Sequence, residues 1–318
     1  MNAFVNVVRA ELFKVRRKRR TYVVAGLWWV LLPVLALIVG RVLLDNLGSI
    51  ASDLELGGID AVIQQIASPF GIARLALVGP AYVSPTFYVI VVALLAALLV
   101  GDDRTHAMWK TVLVVQPSRL AVLAGKVTVG MLVVGALMAG AVIAGLAFGA
   151  LGTTFLPTDF SGEWGQLLLL YALQWAFTTA LVALAYLMVY VTRNVALGLV
   201  LVFFLPALLE GLYTVYAAVV GFQPINRFNA FLQAIRMRQV LEDLPTYFFT
   251  TNVYAPARST TRELVATFGA EASGNGGPDL SALLGSGITL GHAAWVVAGY
   301  TVVLFALLVW RFLRTDVD

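Results

Sequence analysis

Glu210 is the one acidic residue inside a long apolar run, the stretch 195–221, and it lies one helical turn after Pro206. A charge near the middle of a bilayer costs about 2.5–3.5 kcal/mol even on lenient scales. Its carboxyl must therefore face a cavity or a partner, or be kept protonated by burial. Pro206 supplies no backbone donor and frees a carbonyl one turn earlier. Glu210 and Pro206 are thus candidate pathway or gating residues. The alternative is a structural carboxyl, hydrogen-bonded in place or raised to the interface by a short re-entrant helix. Gln174, beside Trp175 in the preceding run, is either a pathway-lining amide or an interhelical donor. Tyr213, with Tyr216, sits where an aromatic belt or a pathway wall is expected.

Other chemistries lack their residues. A phosphate-binding loop needs Gly-x-x-x-x-Gly-Lys-Ser/Thr. The nearest approach, Gly125-Lys126-Val127, lacks both the hydroxyl and the first glycine. His106 and His292 are far apart and belong to no metal-ligand cluster. No Gly-x-Ser-x-Gly elbow occurs, and the chain has no cysteine. These absences predict no catalytic, cofactor-binding or metal residues and no enzymatic activity.

The elements that must position these groups follow from composition. Hydrophobic residues make up 60% of the 318 residues, charged residues only 12%, and mean hydropathy is +0.90. Soluble domains carry about 25% charged residues, so the excess apolar surface requires lipid. A spanning helix needs about 20 apolar residues. Six stretches qualify, at 23–40, 81–100, 127–151, 166–191, 195–221 and 289–310. The expected fold is an all-α integral membrane protein with one transmembrane domain over 23–310. The fourth and fifth spans, separated by Thr192-Arg193-Asn194, form an antiparallel hairpin.

Basic residues set the expected orientation. Segments 1–22, 101–126, 192–194 and 311–318 hold 14 of the 21 Lys+Arg, and segments 41–79, 152–165 and 222–288 hold the other 7 in about twice the length. The positive-inside rule then puts both termini in the cytoplasm, with a cytoplasmic tail at 311–318 and outer loops at 41–79, 152–165 and 222–288. The pI of 9.4 reflects this placement and meets an anionic leaflet rather than nucleic acid. Seven of the basic residues precede position 21. With Phe4, Val7, Val8, Leu12 and Val15 at helical spacing they predict an amphipathic interfacial helix in 1–22, or else a basic flank that only fixes topology. The long outer loop carries near-helical apolar spacing at 226–243 and a second short helical run at Thr260–Phe268. Gly145 and Gly149 form a Gly-x-x-x-Gly step read as internal packing.

The segment between the second and third spans is unlike a simple connector. It carries Met108, Trp109, Val112, Leu113 and Val115 on a helix-sized run closed by Pro117, and such a cytoplasmic apolar face suits docking. Asp102 and Asp103, then Arg104-Thr105-His106, Trp109-Lys110-Thr111, Gln116-Pro117-Ser118-Arg119 and Gly125-Lys126 together resemble the signature loop of ABC-2 type transporter permeases. Ala107-Met108 stands where that family carries a glycine. The opening Ala10-Glu11-Leu12-Phe13-Lys14 is similar to the family's N-terminal segment.

The resemblance implies a coupling helix within 101–126 that sits in a cleft of a separate ABC ATPase subunit. It implies two such ATPases, which carry the ATP and Mg, and a second permease subunit, identical or homologous. Asp102, Asp103, Arg104, Thr105, His106, Trp109, Lys110, Thr111, Pro117 and Arg119 become the ATPase-coupling residues. The implied function is export of a hydrophobic or amphiphilic cargo (drug, peptide or lipid-like) across the plasma or inner membrane, with no cofactor on this chain. The alternatives are an ion-gradient-driven secondary transporter, for which repeats and several midplane polar groups are expected, and a non-transporting scaffold of the same fold.

Overall fold

The computed structural model describes residues 3–54, 59–78, 87–105, 118–222, 243–259 and 288–314. These contain helices and turns and no strand. In chain order the helices are α1 (Ala3–Arg17), α2 (Arg19–Leu54), α3 (Ile59–Ala67), α4 (Pro69–Val78), α5 (Phe87–Thr105), α6 (Arg119–Gly152), α7 (Trp164–Thr192), α8 (Val195–Phe222), α9 (Phe249–Val253) and α10 (Leu290–Arg314), with a 3-10 turn at Leu244–Tyr247 before α9. Among the described residues, five helices are long and apolar enough to cross a membrane: α2, α6, α7, α8 and α10. They mark the chain as an all-helical, multi-pass membrane protein.

Local chemistry explains the boundaries. The α7–α8 hairpin turns where expected. Arg193 adopts a left-handed conformation (φ 57°) and its N–H reaches the Val189 carbonyl, closing α7. Asn194 Oδ1 then accepts from the N–H groups of Ala196 and Leu197 and caps α8. Ser118 Oγ caps α6 by accepting from Ala121 N–H.

Helix α6 is the axis of the bundle, and its glycines explain why. Trp29, Tyr171, Trp175 and Tyr186 donate to the α6 carbonyls of Leu137, Gly135, Met131 and Lys126 at 2.9–3.2 Å. Gly130, Gly135 and Gly140 lie against Tyr186, Trp175 and Trp29, where a side chain would displace the donor rings. The Gly145–Gly149 step is filled from within the chain. A Cβ on Gly145 would stand 2.8 Å from Ala73 Cα, and one on Gly149 would collide with the Pro69 backbone.

Segment 41–79, expected as an outer loop, is helical over the residues described. Helix α2 continues to Leu54, α3 folds back on it, and α4 is buried along most of its length. At 36 residues, α2 is about 54 Å long at 1.5 Å per residue, longer than the roughly 30 Å hydrocarbon core of a bilayer. Ser68 caps α4 by accepting from Gly71 N–H at 3.0 Å, and Trp28 Nε1 donates to the Ala76 carbonyl at 3.0 Å. Arg74 lies over the Phe70 ring, which in turn packs edge-on against Trp164.

The second expected span, 81–100, falls partly outside the described residues. Its described part begins α5, whose Tyr88, Val92, Ala93, Ala97 and Gly101 are buried. Helix α4 starts level with Trp164 of α7. Helix α5 starts beside Gln174 and ends beside Val195 of α8. The two therefore follow one another down the same side of the bundle.

Helix α1 and the end of α10 reach the same end of the bundle. Val7 of α1 packs on Gly125, and Arg119 donates to the Leu313 carbonyl near the end of α10. Helix α1 is set off from α2 at Lys18. It is docked on α6 through Val7, Glu11 and Val15, which are buried, while Phe4, Leu12, Phe13, Arg9, Arg16 and Arg17 face outward. The amphipathic N-terminal helix is thus present, with one stripe seated on protein and the rest exposed.

Candidate functional site

Two polar regions stand out. The first is the junction where α1 and the end of α10 meet the flanks of segment 101–126. Lys126 Nζ lies 2.7 Å from Glu11 Oε1, with side chains only 3% and 10% exposed. Lys14 approaches the same oxygen at 3.0 Å. Gly125 admits Val7, which lets α1 come close enough for the ion pair to form. One turn away, Tyr186 fixes the Lys126 carbonyl from α7, and Arg119 ties the start of α6 to α10. The Gly125-Lys126 step and Arg119 are therefore fastened to α1, α7 and α10 together.

Of the expected coupling residues, Asp102, Asp103, Arg104 and Thr105 stand on the last turn of α5, and Arg119 opens α6. His106, Trp109, Lys110, Thr111 and Pro117 lie outside the described residues, as do the expected coupling helix, most of 226–243 and the run Thr260–Phe268.

The second region is a polar track inside the apolar bundle. Glu210 Oε1 accepts from Thr250 N–H at 2.9 Å, and its other oxygen accepts from the Thr250 hydroxyl. The carboxyl thereby caps the first turn of α9. The α9 segment is held from other sides as well. His292 Nε2 faces the Thr246 carbonyl at 3.0 Å, and because a carbonyl only accepts, this nitrogen carries the proton. Tyr300 Oη donates to the Tyr247 carbonyl at 2.9 Å. Asn252 Nδ2 donates to the carbonyls of Thr246 and Phe248.

Deeper in, Asn252, Gln174, Thr178 and Tyr88 are fully buried. Thr178 donates back to Trp175 O within its own helix. Tyr88 lies against the Gln174 amide, yet neither makes a hydrogen bond of ordinary geometry. Among the described residues, Gln174 Nε2 and Oε1, Tyr88 Oη and Asn252 Oδ1 find no partner. An unmade hydrogen bond on a buried polar group costs about 1–3 kcal/mol. Tyr254 lies within electrostatic range of both Glu210 and Tyr88, so the polar groups form a line from Glu210 through Tyr254 and Tyr88 to Gln174. That line joins α8, the α9 segment, α5 and α7.

Beside Glu210 is a recess of about 210 Å³, lined by Leu184, Leu205, Pro206, Leu209, Glu210, Phe248, Phe249, Tyr300 and Leu304. Its wall is apolar and aromatic apart from the one carboxylate. Phe249 meets Tyr300 edge-to-face at 5.3 Å, and Phe248 meets Tyr213 at 5.2 Å. Arg258 is within range of the Glu210 charge but makes no ion pair with it.

The structure thus brings Glu210 and Pro206 into one recess and puts Tyr213 behind its Phe248 wall. It sets Gln174 apart, at the buried end of the polar line. Sequence reasoning missed Tyr88, Thr250, Asn252 and the Glu11–Lys126 pair. The one local signal was the polar triplet Thr250-Thr251-Asn252 between Phe248-Phe249 and Val253. No protein-family model, curated protein or solved structure matches this chain.

Proposed function

We propose that this chain is the transmembrane permease subunit of an ATP-driven exporter of the ABC-2 type, working with a second permease subunit and two separate ATPase subunits that carry ATP and Mg. The resemblance of 101–126 to the family's signature loop motivates the reading. The observation that carries it is the junction at the end shared by α1 and α10. Movement of that loop has a stiff path into α1, α7 and α10 through Lys126, its carbonyl and Arg119. Rigid, hydrogen-bonded elements are what transmits a displacement.

On this reading α4 and α5 count as one crossing in two pieces, which brings the total to six and agrees with α1 and the end of α10 lying at one end of the bundle. The basic residues then put that end in the cytoplasm of a plasma or inner membrane. ATP-driven closure of the ATPase pair would push on the loop, and the bundle would switch access around the polar line. The chain itself would hydrolyse nothing.

A second reading is favoured by one observation. Ion-coupled carriers usually bind at polar groups near the midplane, and Tyr88 and Gln174 are buried together beside the start of α5. The test is to purify the tagged chain in mild detergent alongside a variant in which residues 102–119 are replaced by a Gly/Ser linker. An ATPase subunit recovered with the wild type and lost with the variant supports the permease. A stable, inserted wild type that recovers no ATPase favours the carrier.

A further inference from the structure

We propose that the Glu210 recess binds the head of a single-chain organic cation, a quaternary ammonium or protonated amine on an alkyl tail. Size sets the first limit. Drug-sized ligands occupy about 300–1,000 Å³, and 210 Å³ holds a headgroup rather than a whole molecule.

Depth sets the second. Glu210 is fifteen residues into α8, about 22 Å along its axis at 1.5 Å per residue, so the recess lies within the slab that the apolar helices occupy. Leu209, which lines the recess, is 60% exposed on the outer surface of the bundle beside exposed Leu208 and Leu212, so the recess adjoins that surface. A tail leaving the recess there runs along an apolar face.

Charge and ring placement set the third. Thr250 engages both Glu210 oxygens from one side, through its N–H and its hydroxyl, and each oxygen keeps a further lone pair for a cationic head. Phe248, Phe249 and Tyr300 bring aromatic rings to the same wall, and such rings attract alkylammonium groups within about 6 Å of their centroids. An anion would meet the carboxylate, and a neutral polar head would find few donors. Among the described residues, Arg258 is a cation within range of the Glu210 charge and forms no ion pair with it, and Tyr254 and Tyr300 are further titratable groups that its charge reaches. Binding in the recess stands by itself. That the bound cation is the exported cargo rests on the permease reading.

The experiment measures saturable binding of radiolabelled dodecyltrimethylammonium to the purified chain in nanodiscs of zwitterionic lipid, without any ATPase, so that the outcome is independent of the permease test. Saturable binding to wild type is expected, with at least a tenfold weaker affinity in Glu210→Gln. Leu209→Lys places an ammonium on the recess wall and should abolish binding with Glu210 intact, which covers the case in which Glu210→Gln fails to fold. No saturable binding to wild type, or undiminished binding in a folded Glu210→Gln or in Leu209→Lys, would overturn the proposal.

Discussion

The ion pair between Glu11 and Lys126 predicts an asymmetric response to mutation. Removing one side of a buried pair costs about 3–5 kcal/mol. Glu11→Gln breaks two charged contacts at once, that to Lys126, which is only 3% exposed, and that to Lys14. Lys126→Met leaves Glu11 beside Lys14 at 3.0 Å, and Lys14 is 28% exposed. We expect Glu11→Gln to loosen α1 by about 3 kcal/mol, the low end of the range for removing one buried partner. For Lys126→Met we expect about 1–2 kcal/mol, because a charge-assisted hydrogen bond of ordinary strength remains. At about 1.4 kcal/mol per factor of ten, amide exchange in Ala3–Arg17 should rise roughly a hundredfold in the first variant and about tenfold in the second. Peptide-resolved hydrogen exchange reads both. The double variant Glu11→Met/Lys126→Met should recover much of the loss, since apolar replacement of a buried pair is often neutral. Equal effects of the two single variants, or α1 exchange unchanged in Glu11→Gln, would refute the reasoning.

Three further outcomes follow from the same geometry. Gly145→Ala and Gly149→Ala push a methyl group into the backbone of α4, so overpacking of about 1–3 kcal/mol should outweigh the ~1 kcal/mol gain in helix propensity and lower the thermal midpoint in detergent. Gln174→Leu removes two unpartnered buried atoms. It should leave thermal stability unchanged or raised, yet reduce transport; lowered stability would show that the amide is bonded in the folded protein. Hydrogen bonds from the Ser161 side chain and backbone, with a further one from Gln64, hold Asp159 below its ordinary 3.8. A depressed carboxylate stabilises above its unfolded pKa and loses that contribution as pH falls through the folded value. Proteolysis of the 153–163 loop should therefore increase below about pH 3.8, and Asp159→Asn should flatten that dependence.

Much of the bundle was legible in the sequence because long apolar runs leave few alternatives. The hairpin at 192–194 and the start of α10 fall within a residue or two of expectation. The helices within 41–79 were not legible. Arg41, Asp45, Asn46, Asp60, Gln64, Gln65 and Arg74 dilute the segment's apolarity over any 20-residue window, and α4 is only ten residues long. Its burial comes from neighbours, chiefly the glycines of α6, rather than from its own hydropathy. Glycine spacing alone did not say whether α6 faces a second copy, another helix or a set of aromatic donors. Glu210 was conspicuous because a charge in an apolar run has no neutral explanation. Its partner Thr250 lies 40 residues on in a polar stretch, and Lys126 lies 115 residues from Glu11. Such pairings exist only once the helices pack.

The central claim is that an ATPase drives this bundle through segment 101–126. The direct measurement is ATP-dependent movement of dodecyltrimethylammonium across proteoliposomes. They would hold the complex purified with the wild-type chain, and in parallel the same ATPase with the chain whose residues 102–119 are replaced. The account predicts transport that needs ATP and Mg with the wild type and none with the replaced loop, while membrane insertion is equal. Transport that ignores ATP and follows an imposed proton or sodium gradient, or that survives replacement of the loop, would contradict it.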